Sequence, residues 1–250
     1  SSNVLVCGHF LSQIDMDGDG SYDLTSNGLS DGYVSKFDGD GNFIWAKNIG
    51  SSSYDTAYGI TTDSNDNVLV AGGFSGQIDI DGNGSYDLTS NGHEDGYVAK
   101  FDKSGNFVWA KNIGGNGSDR VFSITTDSSD NFLVKGRFHD KIDIDGDGSY
   151  DLTSNGGTNG YVAKFDSNGN FVWVKNIGSD LMSYYTRYSI TTDKSDNVLI
   201  GGLFFGQIDI DGNGSYDLTS DGEDDGYIAK FDSNSNFVWA KNIGDGIYTD

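Results

Sequence analysis

Apolar residues occur along the chain in short blocks that return at a near-constant interval. The block Asn3-Val-Leu-Val-Cys-Gly-His-Phe10 is apolar at consecutive positions, and Asn67–Phe74, Asn131–Phe138 and Asn197–Phe204 repeat it. A run of this length without strict alternation predicts a strand covered on both faces. Two further blocks follow, Gly32-Tyr-Val-Ser-Lys-Phe-Asp38 and Phe43-Ile-Trp-Ala-Lys-Asn-Ile-Gly50, and the turn Gly39-Asp-Gly-Asn42 between them predicts a hairpin. A loop of variable length, Ser51–Tyr58, then leads to a short strand, Gly59-Ile-Thr-Thr-Asp63, which feeds the next copy. No stretch carries helical periodicity long enough to predict a helix.

The tryptophans mark the period: Trp45, Trp109, Trp173 and Trp239 are 64, 64 and 66 residues apart. Four copies, at about 1–63, 64–127, 128–193 and 194–250, account for the whole chain. Each predicts a four-stranded antiparallel sheet, and repeated sheets buried on both faces predict blades set around an axis. The expected fold class is therefore all-β, a β-propeller of four repeats, as one domain or as part of a longer array. Gly246-Ile-Tyr-Thr-Asp250 aligns in two ways: as the strand that completes the first blade, or as the start of another variable loop.

The segments Asp95-Gly-Tyr-Val-Ala-Lys-Phe-Asp102, Gly105-Asn-Phe-Val-Trp109 and Ile124-Thr-Thr-Asp127 carry a resemblance to bacterial β-propeller repeats, those often labelled seven-bladed. The resemblance covers the whole chain, although Ser235 stands where the other copies have the hairpin glycine. It implies the propeller fold and a place in large secreted or surface proteins. It implies little about activity.

Between the first and second of these blocks lies Gln13-Ile-Asp-Met-Asp-Gly-Asp-Gly-Ser-Tyr-Asp-Leu-Thr-Ser26, which returns from Gln77, Lys141 and Gln207. Oxygen-bearing side chains stand at alternate positions before a glycine, with an aspartate three residues after it. The four sets are Asp15, Asp17, Asp19, Asp23; Asp79, Asp81, Asn83, Asp87; Asp143, Asp145, Asp147, Asp151; and Asp209, Asp211, Asn213, Asp217. Position seven, Ser21, Ser85, Ser149 or Ser215, would offer its carbonyl. A hard cation such as Ca2+ takes six to eight oxygens at about 2.3–2.6 Å, and a tight loop aims alternate side chains at one point. An EF-hand would need glutamate at position twelve, where Ser26, Ser90, Ser154 and Ser220 stand. The spacing instead resembles the nine-residue Asp-x-Asp-x-Asp-Gly-x-x-Asp loop on integrin-type propeller blades, with up to four Ca2+. Asp-Gly and Asn-Gly are also common hairpin turns, so the same residues have a purely structural reading. A turn alone, however, does not require the flanking aspartates.

The formal net charge of −23 argues against nucleic acid or an anionic membrane as a partner. Each divalent ion adds two, so four would bring it only to −15. Cys7 is the only cysteine, which excludes an internal disulfide and reads as a small buried residue. No apolar run is long enough to span a bilayer, and the first residues do not read as a signal peptide, although one could lie upstream because Ser1 begins in the middle of a repeat. Weak, open oxygen sites fill at millimolar calcium, an extracellular condition, so a secreted or cell-surface location is expected.

His9, His93 and His139 sit at unrelated places in their repeats, without the spacing of a metal site or a nucleophile–base pair, so an enzyme is not expected. If strands run alternately from inner to outer, the acidic loops and the variable loops emerge on one face. That face carries Tyr54, Tyr58, Arg120, Tyr184, Tyr185, Arg187 and Tyr188, residue types suited to recognition, although the aromatics could instead fold back over the blade edges. Lys135, Arg137 and His139 alternate on one strand and could receive an acidic ligand or satisfy neighbouring aspartates. The expected function is a calcium-binding extracellular scaffold or adhesion module, with a cell-surface protein or glycan or another copy as partner. The alternative is a calcium-dependent lectin with one site per repeat.

Overall fold

A computed structural model describes residues 3–178, 188–221 and 224–244. Gly246–Asp250 lie outside the described residues. All regular structure among the described residues is β. The chain divides into two compact units, Ser1–Val121 and Phe122–Asp250.

In the first unit, Val4–Phe10, Asp31–Phe37 and Phe43–Ile49 form a three-stranded antiparallel sheet in that order. The next sheet has four strands: Asp55–Thr62, Val68–Phe74, Asp95–Phe101 and Phe107–Gly115 lie side by side, each antiparallel to its neighbour. The second strand, Val68–Phe74, is buried along its whole length, as its unbroken apolar run requires. Val34, Ile49 and Ala57 pack with Val68, Val70, Phe74, Tyr97 and Phe101 in one cluster, so the two sheets share a core.

The second unit repeats the plan. Phe132–Asp143, Leu152–Phe165 and Phe171–Ile177 are antiparallel neighbours, and Arg120–Thr126, which enters this unit at Phe122, pairs with the first of them. Ser189–Thr192, Val198–Phe204, Asp225–Phe231 and Phe237–Ile243 form the last four-stranded sheet. Leu133, Val162 and Ile177 share a core with Ile200, Phe204, Tyr227 and Phe231.

Three devices recur with the repeat. A bulge after Lys36, Lys100, Lys164 and Lys230 brings two phenylalanines opposite each other, as in Phe37–Phe43 at 5.8 Å, edge to face. The same lysine clamps the turn between the first two strands: Lys100–Asp63 at 2.9 Å, Lys164–Asp127 at 2.7 Å and Lys230–Asp193 at 2.8 Å. Glycine on the second strand admits a tyrosine from the third. A Cβ at Gly72 would lie 2.7 Å from Tyr97 Cε1 and inside the radius of Thr56 O.

Many aspartates are accounted for by turns. Asp38 Oδ1 accepts the amides of Asp40 and Asn42, and Asn42 Nδ2 donates to Oδ2. Asp102, Asp166 and Asp232 do the same in their hairpins. These hydrogen bonds, the asparagine side chain's first, hold Asp38, Asp102, Asp166 and Asp232 below the usual carboxylate range.

Candidate metal centres

Each acidic stretch is carried on a two-residue ladder, Gln13–Ile14 with Leu24–Thr25, Gln77–Ile78 with Leu88–Thr89 and Gln207–Ile208 with Leu218–Thr219. In the third copy the flanking strands continue into Lys141↔Thr153 and Ile142↔Leu152. Within the loop, two glycines take positive φ: Gly18 and Gly20, Gly82 and Gly84, Gly146 and Gly148, Gly212 and Gly214, between 74° and 94°. These left-handed steps coil the backbone so that its amides point inward.

The amides orient the acids in the same way four times. The first aspartate accepts from the fourth and sixth residues: Gly18 N donates to Asp15 Oδ1 at 2.7 Å and Gly20 N to Oδ2 at 3.0 Å. Asp79, Asp143 and Asp209 accept equivalently. The ninth residue closes the loop, with Asp23, Asp87, Asp151 and Asp217 accepting from the amides of Met16, Ile80, Ile144 and Ile210 at 2.7–2.8 Å.

The result is four groups of carboxylates whose oxygens lie within 4.8 Å of one another: Asp15, Asp17, Asp19; Asp79, Asp81, Asp87; Asp143, Asp145, Asp151; Asp209, Asp211, Asp217. Oxygens held about 2.3–2.6 Å from one ion are at most about 5.2 Å apart, so the spacing fits a hard cation. In the first copy the fifth position, Asp19, takes the place held elsewhere by the ninth. In the second and fourth copies the fifth position is asparagine, and Asn83 and Asn213 donate to Asp81 Oδ2 and Asp211 Oδ2 at 2.8 Å. Ser21, Ser85, Ser149 and Ser215 donate their amides to the fifth residue at 2.7–2.8 Å.

Electrostatics separate the last three loops from the hairpin turns, whereas in the first the Ser21 hydrogen bonds hold Asp19 below the usual carboxylate range. Burial first, with the neighbouring aspartates adding to it, pushes Asp87, Asp151 and Asp217 above the usual carboxylate range. The turn aspartates shift the opposite way. Clustered like charges gain from a divalent ion. Among the described residues, four clusters capable of coordinating a metal ion are thus present, one in each repeat.

Residues 44–72 match the family model described as Beta-propeller repeat. The chain is also 26% identical over 239 residues to an uncharacterized WD repeat-containing protein of Acanthamoeba polyphaga mimivirus, covering 82% of this chain and 17% of that protein. The chain is a distant relative of beta-propeller and WD-repeat proteins. It spans about a sixth of the length of the viral relative. Such repeat families generally serve as non-catalytic scaffolds, and no described helix is long and apolar enough to cross a membrane.

The residues expected to meet a partner in this propeller relative divide. Tyr54 and Tyr58 are exposed. Arg120 makes a two-pronged pair with Glu94, Nε to Oε1 and Nη2 to Oε2, each at 2.6 Å. Tyr188 is inside, 9% exposed, against Phe122 at 5.1 Å. Tyr184, Tyr185 and Arg187 lie outside the described residues. Lys135 is fully buried: its ammonium donates to Gly201 O and Tyr227 Oη and lies 4.7 Å from the ring centres of Tyr188 and Tyr227. Burial pulls its amine well below the usual lysine range, and the tyrosine faces oppose that pull. Arg137 lies over Phe122, and His139 is exposed. Cys7 is half-buried, its thiol pushed up to about 11 by burial.

Sequence reading missed a set of buried acids. Asp31, Asp55, Asp95 and Asp119 are each 0% exposed, and Asp225 is buried as well. Asp31, Asp95 and Asp225 each accept from an asparagine of the fourth strand, Asn48, Asn112 and Asn242, at 2.8 Å. In the third repeat the aspartate is replaced by Asn159, which donates to Asn176 Oδ1 at 3.0 Å. The signal was present in the recurrent Asp-Gly-Tyr and Lys-Asn-Ile-Gly segments.

Proposed function

We propose that this chain is a non-catalytic, calcium-binding scaffold module of a secreted or cell-surface protein, presenting the loops that carry its acidic clusters to a protein or to another copy. The observation that carries the reading is the recurrence of one carboxylate cluster per repeat, oriented by the same amide pattern each time. The ions are structural in this reading. Each would hold Asp15, Asp79, Asp143 or Asp209 with its loop partners and fix the hairpin between the second and third strands. All donors are oxygens, which suits Ca2+, and open sites of this kind fill at the calcium concentrations found outside cells.

A second reading is a calcium-dependent lectin. It is favoured by Tyr22, Tyr86, Tyr150 and Tyr216, each exposed beside the ninth-position aspartate and available to stack on a sugar ring. Titration calorimetry with CaCl2 and with MgCl2 tests the shared premise: saturable calcium binding of at least four ions per chain supports it, and heats of dilution alone refute it. A glycan array probed in calcium then separates the readings. Binding to one sugar class, lost in EDTA, selects the lectin; no binding, together with self-association or protein capture, selects the scaffold.

A further inference from the structure

We propose two further cation sites in the first unit, one between Asp31 and Asp55 and one between Asp95 and Asp119, each taking a hard divalent cation. They are separate from the acidic loops and share no residue with them.

Backbone register sets each pair face to face. Ser30 and Tyr54 form a parallel bridge, and Asp55 N donates to Ser30 O at 2.8 Å, so Asp31 and Asp55 stand opposite each other and on one side. Glu94 and Ser118 bridge in the same way, with Asp119 N donating to Glu94 O at 2.7 Å, which places Asp95 opposite Asp119. Both carboxylates of a pair close on one short link. Asp31 Oδ1 would lie 2.8 Å from a Cβ built on Gly50, and Asp55 Oδ2 accepts from Ser51 N at 2.8 Å. In the second pair Asp95 Oδ2 lies against Gly114, and Asp119 Oδ2 accepts from Gly115 N at 2.7 Å.

Donors from the protein saturate only part of each pair. Asp31 Oδ2 accepts from Asn27 N and Asn48 Nδ2, both at 2.8 Å, and Asp95 Oδ2 accepts from Asn91 N and Asn112 Nδ2, both at 2.8 Å. Asp31 Oδ1, Asp55 Oδ1 and Asp95 Oδ1 are buried without a hydrogen-bond partner, and so are the amide oxygens Asn48 Oδ1 and Asn112 Oδ1. Every one of these atoms is an acceptor. Among the described ion pairs, none includes Asp31, Asp55 or Asp95. Buried carboxylates with a spare oxygen, as at Asp31, Asp55 and Asp95, are costly as bare anions, and a hard ion supplies both charge and coordination. In the third repeat Asn159 stands in place of the aspartate and donates to Asn176 Oδ1, so this carboxylate is missing there.

The test is a pair of crystal structures of the chain, grown in CaCl2 and in EDTA, with anomalous difference maps at long wavelength. The inference expects calcium peaks between Asp31 and Asp55 and between Asp95 and Asp119, lost in EDTA. Native mass spectrometry counts the ions: Asp55→Asn and Asp119→Asn should each remove one calcium and leave the loop ions in place. Water-level density at both positions in calcium, or carboxylate oxygens drawn together around a shared proton, overturns the inference. So does an unchanged ion count in both variants. Should Asp55→Asn fail to fold, the wild-type maps and Asp119→Asn still decide the matter. Peaks in the acidic loops are read at different coordinates, so failure of the loop sites and failure of these sites are told apart in one map.

Discussion

Gly72 offers a sharp test of how the repeats are packed. Its backbone is not in the left-handed region, so nothing about φ requires glycine there; space does. A Cβ would meet Tyr97 Cε1 at 2.7 Å and the carbonyl oxygen of Thr56 on the adjacent strand, and both neighbours are held in the sheet. Overpacking a filled core costs about 1–3 kcal/mol and more where backbone must shift. Gly72→Ala should therefore cost about 3 kcal/mol, or about 6–12 °C in Tm for a chain of this size. Gly41 provides the contrast: it has φ of 85° and no atom within 4 Å of a built Cβ. The fourth repeat already carries Ser235 at the matching position with φ of 67°. Gly41→Ser should cost only the left-handed penalty, about 1–2 kcal/mol. Calorimetric melting of both variants in EDTA, where ions contribute nothing, reads the difference. A Gly72→Ala loss no greater than that of Gly41→Ser would refute the steric reasoning.

Three other outcomes follow from the site and the clamps. Asp79→Asn should diminish the calcium-dependent rise in Tm yet leave Tm in EDTA equal or slightly higher, since it removes one of three mutually repelling carboxylates; melting in both buffers checks this. Burial raises Asp63 and Asp127, but the ammonium groups of Lys100 and Lys164 and the amides of Asn67 and Asn131 outweigh it and hold both carboxyls low. Stability from these clamps is present above the unfolded carboxylate pKa of about 3.9 and is lost as pH falls through the lower folded values. A pH series of melts should show that fall below about pH 4, and Asp127→Asn should flatten it. Cys7, with its thiol pushed up to about 11, should react with an aromatic disulfide reagent at pH 8 about 100-fold or more slowly than in urea.

The strands and loops of the four repeats were legible because their apolar blocks recur intact, and because Asp, Asn and Gly at fixed offsets declare turns. The order of strands within a sheet followed from the same blocks. What periodicity hides is charge that is folded inside. Nothing in the hydropathy pattern marks Asp31 and Asp95 as buried, yet both are 0% exposed, where Gly50 and Gly114 leave room for their carboxylates. The pattern gives no partner for Lys100, which the structure pairs with Asp63 at 2.9 Å. Tyr188 and Lys135 each look like surface chemistry in the sequence. They are placed against each other only by the packing of the third and fourth repeats within the second unit.

The most direct test of the acidic loops as metal centres is thermal unfolding of the chain in millimolar CaCl2, in EDTA and in MgCl2. An ion bound only by the folded state at 100 times its Kd adds about 2.7 kcal/mol per site, or about 5–10 °C for each of the four loops if filled alone. A large rise in calcium, absent in EDTA and small in magnesium, is the predicted result. Equal melting temperatures in all three buffers would contradict it and leave Asp15, Asp79, Asp143 and Asp209 as the anchors of acidic hairpins.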